Sequence, residues 1–477
     1  MNNYIYTDIL QTFPEVDEEA VDVILNDEIR KNEMKIVVLD DDPTGVQTVH
    51  DVSVYTDWSK ESIRSGFEEE NKLFYILTNS RGFTKAQTTK AHREIAENIA
   101  AVAAEKKQEY MIISRSDSTL RGHYPLEPQI LKDVMEEKSG IIIDGEVLCP
   151  FFKEGGRYTI GNIHYVRYEN KLVPAGETEF AKDRTFGYSA SDLREYIAEK
   201  TNNMYKAADV ICISLEELRS LQLDRIEEKL LSVSNFNKII VNAVDYIDVK
   251  IFCIALYRAI SRGKRFMFRT AAALVKCIGG ISDQPLLTRK DMIRNETENG
   301  GIVVVGSHTQ KTTLQLQQLL KVPGTVGIEF QSDLVLEGKE AFENEIRRVV
   351  SESESLIRNG KTPVCYTKRK LLTVENDTKE AALVRSVQIS DGVQSLVGRL
   401  SVAPAFVIAK GGITSSDIGT KALSVRRANV MGQIRPGIPV WETGADSRFP
   451  GIPYVIFPGN VGDDNTLKEA VEILVNH

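Results

Sequence analysis

Cysteine is scarce and scattered: Cys149, Cys212, Cys253, Cys277 and Cys365 are the five in 477 residues, and no two form a CxxC pair. That excludes a disulfide framework and a cysteine-based zinc site, and it fits buried thiols in a reducing compartment. Histidine gives no metal signature either. His50, His92, His123, His164, His308 and His477 show neither HExxH nor a paired spacing. No apolar run reaches the ~20 residues of a membrane span. The first twenty residues are acidic and lack a basic stretch followed by an apolar one, so they do not read as a signal peptide. Positive charge is in deficit, with a formal net charge of −9, which argues against a general nucleic-acid binder but not against a local basic pocket. The expectation is a cytoplasmic protein that meets neither nucleic acid nor membrane.

Several catalytic signatures are missing as well. There is no GxxxxGK[ST] loop, no HRD with DFG and no GxSxG elbow. No GxGxxG opens a helix after a strand with an acid about 20 residues on, which weakens a dinucleotide-dependent oxidoreductase without removing it from consideration.

What remains is a soluble composition, 42% apolar and 27% charged, in a chain long enough for two or three domains. The most informative stretch is Ile36-Val37-Val38-Leu39-Asp40-Asp41-Asp42-Pro43-Thr44-Gly45. It predicts a buried strand that delivers three carboxylates to its carboxyl end, where open α/β sheets bind ligands. Such crowding repels itself unless a cation or a proton-accepting role offsets it. Lys72–Thr78 predicts a second strand ending in Asn79-Ser80-Arg81-Gly82, and Tyr110–Ile113 a third ending in Ser114-Arg115-Ser116-Asp117-Ser118-Thr119. Strand, polar turn and helix in this rhythm indicate a parallel sheet with crossover helices.

From about 141 to 189 the texture turns Gly-rich and aromatic, which predicts small strands and loops. The rhythm then resumes near Val210–Ile213 and Lys238–Val241, and Asp291–Gly301 is the best linker candidate. Beyond it, strands Ile302–Val305, Phe406–Ala409 and Tyr454–Phe457 each lead into a Gly-rich turn: Gly306-Ser307-His308, Lys410-Gly411-Gly412-Ile413-Thr414 and Pro458-Gly459-Asn460. Three such turns at one sheet edge suggest a phosphate cradle built from backbone N–H groups. The expected fold is α/β with two domains, each a mostly parallel sheet flanked by helices. A helical leader is expected over 1–33, a substrate domain over 34–285 and a nucleotide domain over 286–477.

These residues resemble a family, the four-carbon acid sugar kinases, formerly grouped as a domain of unknown function. The resemblance rests on Asp41-Asp42-Pro43-Thr44-Gly45, Ser116-Asp117-Ser118-Thr119-Leu120-Arg121-Gly122, Phe151-Phe152-Lys153-Glu154-Gly155-Gly156-Arg157 and Glu177-Thr178-Glu179-Phe180-Ala181-Lys182-Asp183. It continues with Gly306-Ser307-His308, Gly411-Gly412-Ile413-Thr414 and Gly459-Asn460, in order over nearly the whole chain. It implies ATP-dependent phosphorylation of a small sugar acid such as a threonate, erythronate or oxo-tetronate. It also implies that Ser307, the Gly411–Thr414 loop and Gly459 sit on ATP, with the Asp and Arg turns of the first domain facing the substrate. Many relatives carry an acid where this chain has Ile413, and Lys410 makes the loop more basic, which suits phosphate.

Phosphoryl transfer needs positioning, charge neutralisation and a base near the attacking hydroxyl. Asp41 and Asp42 are the candidates for the base, with Asp42 preferred; the alternative is that they cap a helix or meet magnesium. Arg115, Arg121 and Arg157 are candidates to grip the substrate carboxylate, with Asp117 and Ser118 beside them. Magnesium would be held mainly by the ATP phosphates and one or two acids. A homodimer is compatible with the sequence. The rival from another class is a non-catalytic sugar-acid or nucleotide binding protein, favoured only by Ile413.

Overall fold

The computed structural model describes residues 4–294, 297–370, 372, 374, 377–459 and 461–475. Of the stretches singled out above, Asn460, His477 and part of the linker lie outside these residues. The chain groups into two compact units, Met1–Gly45 with Asp57–Asp283, and Val46–Thr56 with Gln284–His477.

In the first unit one sheet runs in the order Ile211–Ile213, Asn237–Val241, Gly145–Cys149, Phe266–Thr270, Tyr110–Arg115, Lys35–Asp40 and Leu73–Leu77, all parallel. Every residue of Lys35–Asp40 is buried, as the apolar run requires for a strand covered on both faces. Helix Lys85–Lys106 covers the sheet through Ala91, Ile95, Ile99 and Val102, which recur at helical spacing. Its start is fixed by a capping box between Thr84 and Gln87. Register aligns the strand ends, with Asp40 opposite both Leu77 and Arg115, and Arg115 opposite Thr270. The residues that follow each strand therefore emerge at one edge.

Strands Lys171–Pro174, Ile163–Tyr168 and Arg157–Ile160 of the 141–189 region form a small antiparallel sheet together with Ile5–Tyr6. The region also contributes Gly145–Cys149 to the main sheet. The leader is thus only partly helical. Helix Glu18–Lys31 follows a strand, Ile5–Tyr6, whose partner lies at Lys171–Pro174.

In the second unit the sheet order is Val52–Tyr55, Arg427–Arg435, Ile438–Thr443, Pro453–Phe457, Val407–Lys410, Ile302–Val305, Thr362–Thr367 and Thr325–Phe330. The first four pair antiparallel and the rest parallel. Val52–Tyr55 belongs here, and not with the 34–285 span, because it completes the sheet beside Arg427–Val430. The core packs Val303, Val305, Val364, Ile408 and Phe457 against Leu316, Leu319, Leu467 and Val471. Val305, Tyr366, Lys410 and Phe457 stand in register, so the three Gly-rich turns and the Thr367–Arg369 turn leave the sheet side by side. Among the described residues no helix is long and apolar enough to cross a membrane.

Candidate functional site

At the strand edge of the first unit the three acids have different surroundings. Asp40 is the innermost, 2% exposed, and accepts Arg115 Nη1 at 2.8 Å. Burial raises its carboxyl to about 7, against the pull of Arg115 and with help from Asp41 and Asp42. Asp41 is also buried, but it is saturated. Arg81 forks onto it through Nη2 at 2.7 Å and Nε at 3.2 Å, Arg115 Nη1 lies at 3.3 Å, and Ser116 Oγ donates at 2.7 Å. Burial alone would raise its carboxyl, yet Arg81 and Arg115 outweigh that and hold it below the usual carboxylate range. Asp42 is the outermost, its side chain 16% exposed. Its Oδ1 accepts the Thr44 N–H at 2.8 Å and hydroxyl at 2.6 Å, and its Oδ2 accepts Arg81 Nη1 at 3.1 Å. The two candidate bases are therefore unlike: Asp41 is an anchor inside an ion-pair network, and Asp42 is a rigid carboxylate at its rim.

The three candidate arginines also separate. Arg115 is 5% exposed and is spent on Asp40 and Asp41. Arg121 donates Nε to Asp117 at 2.7 Å and to Thr119 Oγ at 3.0 Å, with Asp183 at 3.9 Å. Asp117, between Arg81 and Arg121, is held well below the usual range by those cations despite its burial. Arg157 differs from both. Its Nε is buried without a partner, as is that of Arg115, but in Arg157 no guanidinium nitrogen hydrogen-bonds a described residue. Burial lowers its basicity, only partly opposed by Asp117, which marks a cation lacking a counter-ion. It lies over the Phe180 ring, 5.6 Å from the centroid, and Arg121 lies 5.0 Å from the same ring. Ser118 is fixed through its backbone: its carbonyl accepts His164 Nε2 at 2.7 Å, while His164 Nδ1 accepts the Thr159 hydroxyl at 3.0 Å. Burial lowers His164 to about 4, so it is a neutral structural histidine.

In the second unit the Gly-rich turns interlock. A Cβ at Gly306 would stand 2.1 Å from Thr414 Oγ1, and Gly411 has φ +116°, a conformation that side chains resist. Helix Gly412–Asp417 begins immediately after it. Lys410, expected to meet phosphate, is fully buried: its Nζ donates to the carbonyls of Pro458 at 2.6 Å and Gly459 at 3.2 Å, tying two turns together. Burial pulls its pKa down to about 7, which further removes it as a charge for a ligand. The Ile413 side chain is 75% exposed, so only its backbone can join a cradle. The Ser307 hydroxyl accepts Thr312 Oγ at 3.1 Å at the start of helix Gln310–Leu319, which Thr309 caps. Gly459 is open around its missing Cβ.

Three side chains here were not among the sequence candidates. Arg81 stood in a quoted strand-end turn, and its position was the available signal. Phe180 gave none beyond its motif, and Arg369 follows a strand, Thr362–Thr367, that Pro363 conceals. Among the described residues no three His, Cys, Asp or Glu side chains gather to hold a metal ion.

Two family models match the chain. One, described as a sugar-binding N-terminal domain, spans residues 36–278; the other, a nucleotide-binding C-terminal domain, spans 302–467. The chain belongs to the four-carbon acid sugar kinase family. Its N-terminal part is a sugar-binding domain of that family and its C-terminal part a nucleotide-binding domain. Solved structures share the fold. A Salmonella typhimurium LT2 protein provisionally named a tRNA synthase aligns with TM-score 0.66 and 15% identity, over 91% of this chain and 98% of its own. Haemophilus influenzae protein HI1011, of a family of unknown function, aligns with TM-score 0.61 and 14% identity, over 92% and 100%. No curated protein matches the sequence.

Proposed function

We propose that the protein is a kinase that transfers the γ-phosphoryl group of ATP to a hydroxyl of a four-carbon sugar acid. The observation that carries this reading is Arg157, a half-buried guanidinium of the sugar-binding domain that lies over Phe180 near Asp117 and hydrogen-bonds no carboxylate among the described residues. A partly buried cation without a bonded counter-ion favours an anionic ligand, and a planar guanidinium suits a carboxylate. Arg157 therefore takes the substrate carboxylate. Arg115 does not, and Arg121 with Asp117 and Ser118 shapes the wall beside it.

Asp42 accepts the proton of the attacking hydroxyl as the oxygen–phosphorus bond forms and ADP leaves. Asp41 is a positioning residue, which through Arg81 fixes the carboxylate of Asp42. In the nucleotide domain the backbone of Gly411, Gly412, Ile413 and Thr414, with Ser307 and Gly459, lines the phosphates, and Lys410 holds those turns in place. Among the described residues no three His, Cys, Asp or Glu side chains gather, so magnesium would be held mainly by the ATP phosphates, and no step is assigned to it.

The test is ADP release with a panel of four-carbon sugar acids and the matching neutral tetritols. Turnover with at least one acid and with no tetritol is expected. An absence of ADP release with every acid, under conditions where the protein binds ATP, leaves a non-catalytic binding protein as the better description.

A further inference from the structure

We propose that Arg369 is a ligand for the phosphate chain of the nucleotide. The inference rests on the reading of the second unit as an ATP site, and deepens it by naming a cation that the Gly-rich turns lack. Arg369 follows strand Thr362–Thr367, whose register neighbours Ile302–Val305, so it leaves the sheet beside the Gly306 turn. Its Nη2 donates to the Ser307 carbonyl at 2.6 Å and to Thr313 Oγ at 3.0 Å, and its Nε to Thr313 Oγ at 3.3 Å. These bonds fix the guanidinium plane against the start of helix Gln310–Leu319. They leave Nη1, which is buried and has no partner among the described residues.

Among the described residues no carboxylate pairs with Arg369. The adjacent acid, Asp333, pairs with Lys368. Three other basic groups at this edge are occupied or lowered in basicity, and Lys370 is exposed to solvent. Lys410 is spent on two carbonyls, and Lys311 donates to the Gly462 carbonyl at 3.1 Å. Burial and the nearby Arg369 charge both lower the basicity of His308. Arg369 is thus a guanidinium held rigidly by neutral acceptors, with one donor unused, at the edge where a nucleotide-binding domain presents its glycines. A half-buried cation kept without an anion costs free energy that a phosphate oxygen would recover, and the fixed donor plane suits a phosphate.

A purely structural Arg369 would tie strand to helix and do no more. The two roles separate by ligand charge. Calorimetry on the full-length protein with adenosine, ADP and ATP, each with magnesium, should show Arg369→Gln binding ATP ~10-fold or more weakly with adenosine affinity within about twofold of wild type. Arg369→Lys should fall between, since it keeps the charge and loses the fork; it also carries the test should the Gln variant fail to fold. ATP binding equal to wild type in both variants overturns the inference. So does an equal loss for adenosine and ATP, which is the mark of a distorted turn. Wild-type protein that binds ATP no better than adenosine removes the nucleotide-phosphate reading itself, and Arg369 with it.

Discussion

Asparagine at position 41 and asparagine at position 42 should fail in opposite ways. Asp41 is 3% exposed and accepts bonds from Arg81, Arg115 and Ser116. Asparagine offers one acceptor oxygen in place of two and turns an NH2 group toward donors. It also removes the negative charge that two guanidiniums share. Truncating one member of a buried ion pair costs roughly 3–5 kcal/mol, most of it from the charge left behind. Asp41→Asn should therefore lower the unfolding free energy read from the first transition of a urea melt by an amount on that order, with activity lost alongside structure. Asp42 is different. Its asparagine keeps an acceptor for the Thr44 N–H and hydroxyl, and forfeits one Arg81 contact at a partly exposed site, about 1 kcal/mol or less. Turnover should nevertheless fall ~100-fold or more with ATP affinity unchanged, because the amide cannot take the hydroxyl proton. Urea melts and ADP-release kinetics on both variants decide the matter. An Asp41→Asn protein as stable as wild type but without turnover would make Asp41 the base. An Asp42→Asn protein with near wild-type turnover would remove Asp42 from the chemistry.

The remaining predictions address the other charged groups. Arg157→Gln should raise KM for the sugar acid ~10-fold or more with little change in stability, since no described partner is lost; equal KM values would refute its role as the carboxylate ligand. Asp40 folds with its carboxyl near 7 against an ordinary 3.8, so the native state keeps a proton that the unfolded chain releases between those values, and stability falls as pH rises through that window. The stability of wild type relative to Asp40→Asn should drop by an amount on the order of 4 kcal/mol across it. His164, lowered to about 4, acts in the opposite sense over much of the same range but is common to both proteins; a flat wild-type-minus-variant difference would refute the Asp40 assignment. Lys410→Met should cost roughly 1–3 kcal/mol by orphaning the carbonyls of Pro458 and Gly459, and an unchanged melting temperature would show that the tie is unimportant.

The parallel strands were legible wherever a strand is an unbroken apolar run, as at Ile302–Val305, which the structure reproduces to the residue. They were hidden where one polar or breaking residue interrupts the run. Gly145–Cys149 carries Glu146, tolerated at full burial because it accepts Lys238 Nζ at 2.5 Å from the neighbouring strand. Thr362–Thr367 carries Pro363 near its start. Val52–Tyr55 is too short to declare which sheet it joins, and its partner lies hundreds of residues away. The site divides the same way. That acids and arginines would leave the strands at one edge follows from strand polarity. Which arginine stays free does not, because register decides it: Arg115 meets Asp40 only because the two stand opposite each other on adjacent strands. Lys410 was misleading for a related reason. A lysine before two glycines looks like a phosphate ligand until the strand buries its side chain inward.

The two domains would handle charge differently, and the proposed reaction gives a reason. A phosphorylated sugar acid leaves with nearly two more negative charges than its precursor carried. A cleft of free arginines would bind that product more tightly than the substrate and slow its release. Arg81, Arg115 and Arg121 stand at the strand edge, yet each is already bonded to a carboxylate of Asp40, Asp41, Asp42 or Asp117. These pairs give the edge rigidity without a large net attraction for anions. In the proposed reaction Arg157, which hydrogen-bonds no described residue, would be the cation that chooses an acid over a neutral sugar. In the nucleotide domain the proposed cradle would be backbone with Arg369 beside it, and the lysine that precedes its glycines is an internal tie. A site built in this way spends its charge on holding the base still and on one recognition contact, which is what turnover of an increasingly anionic substrate requires.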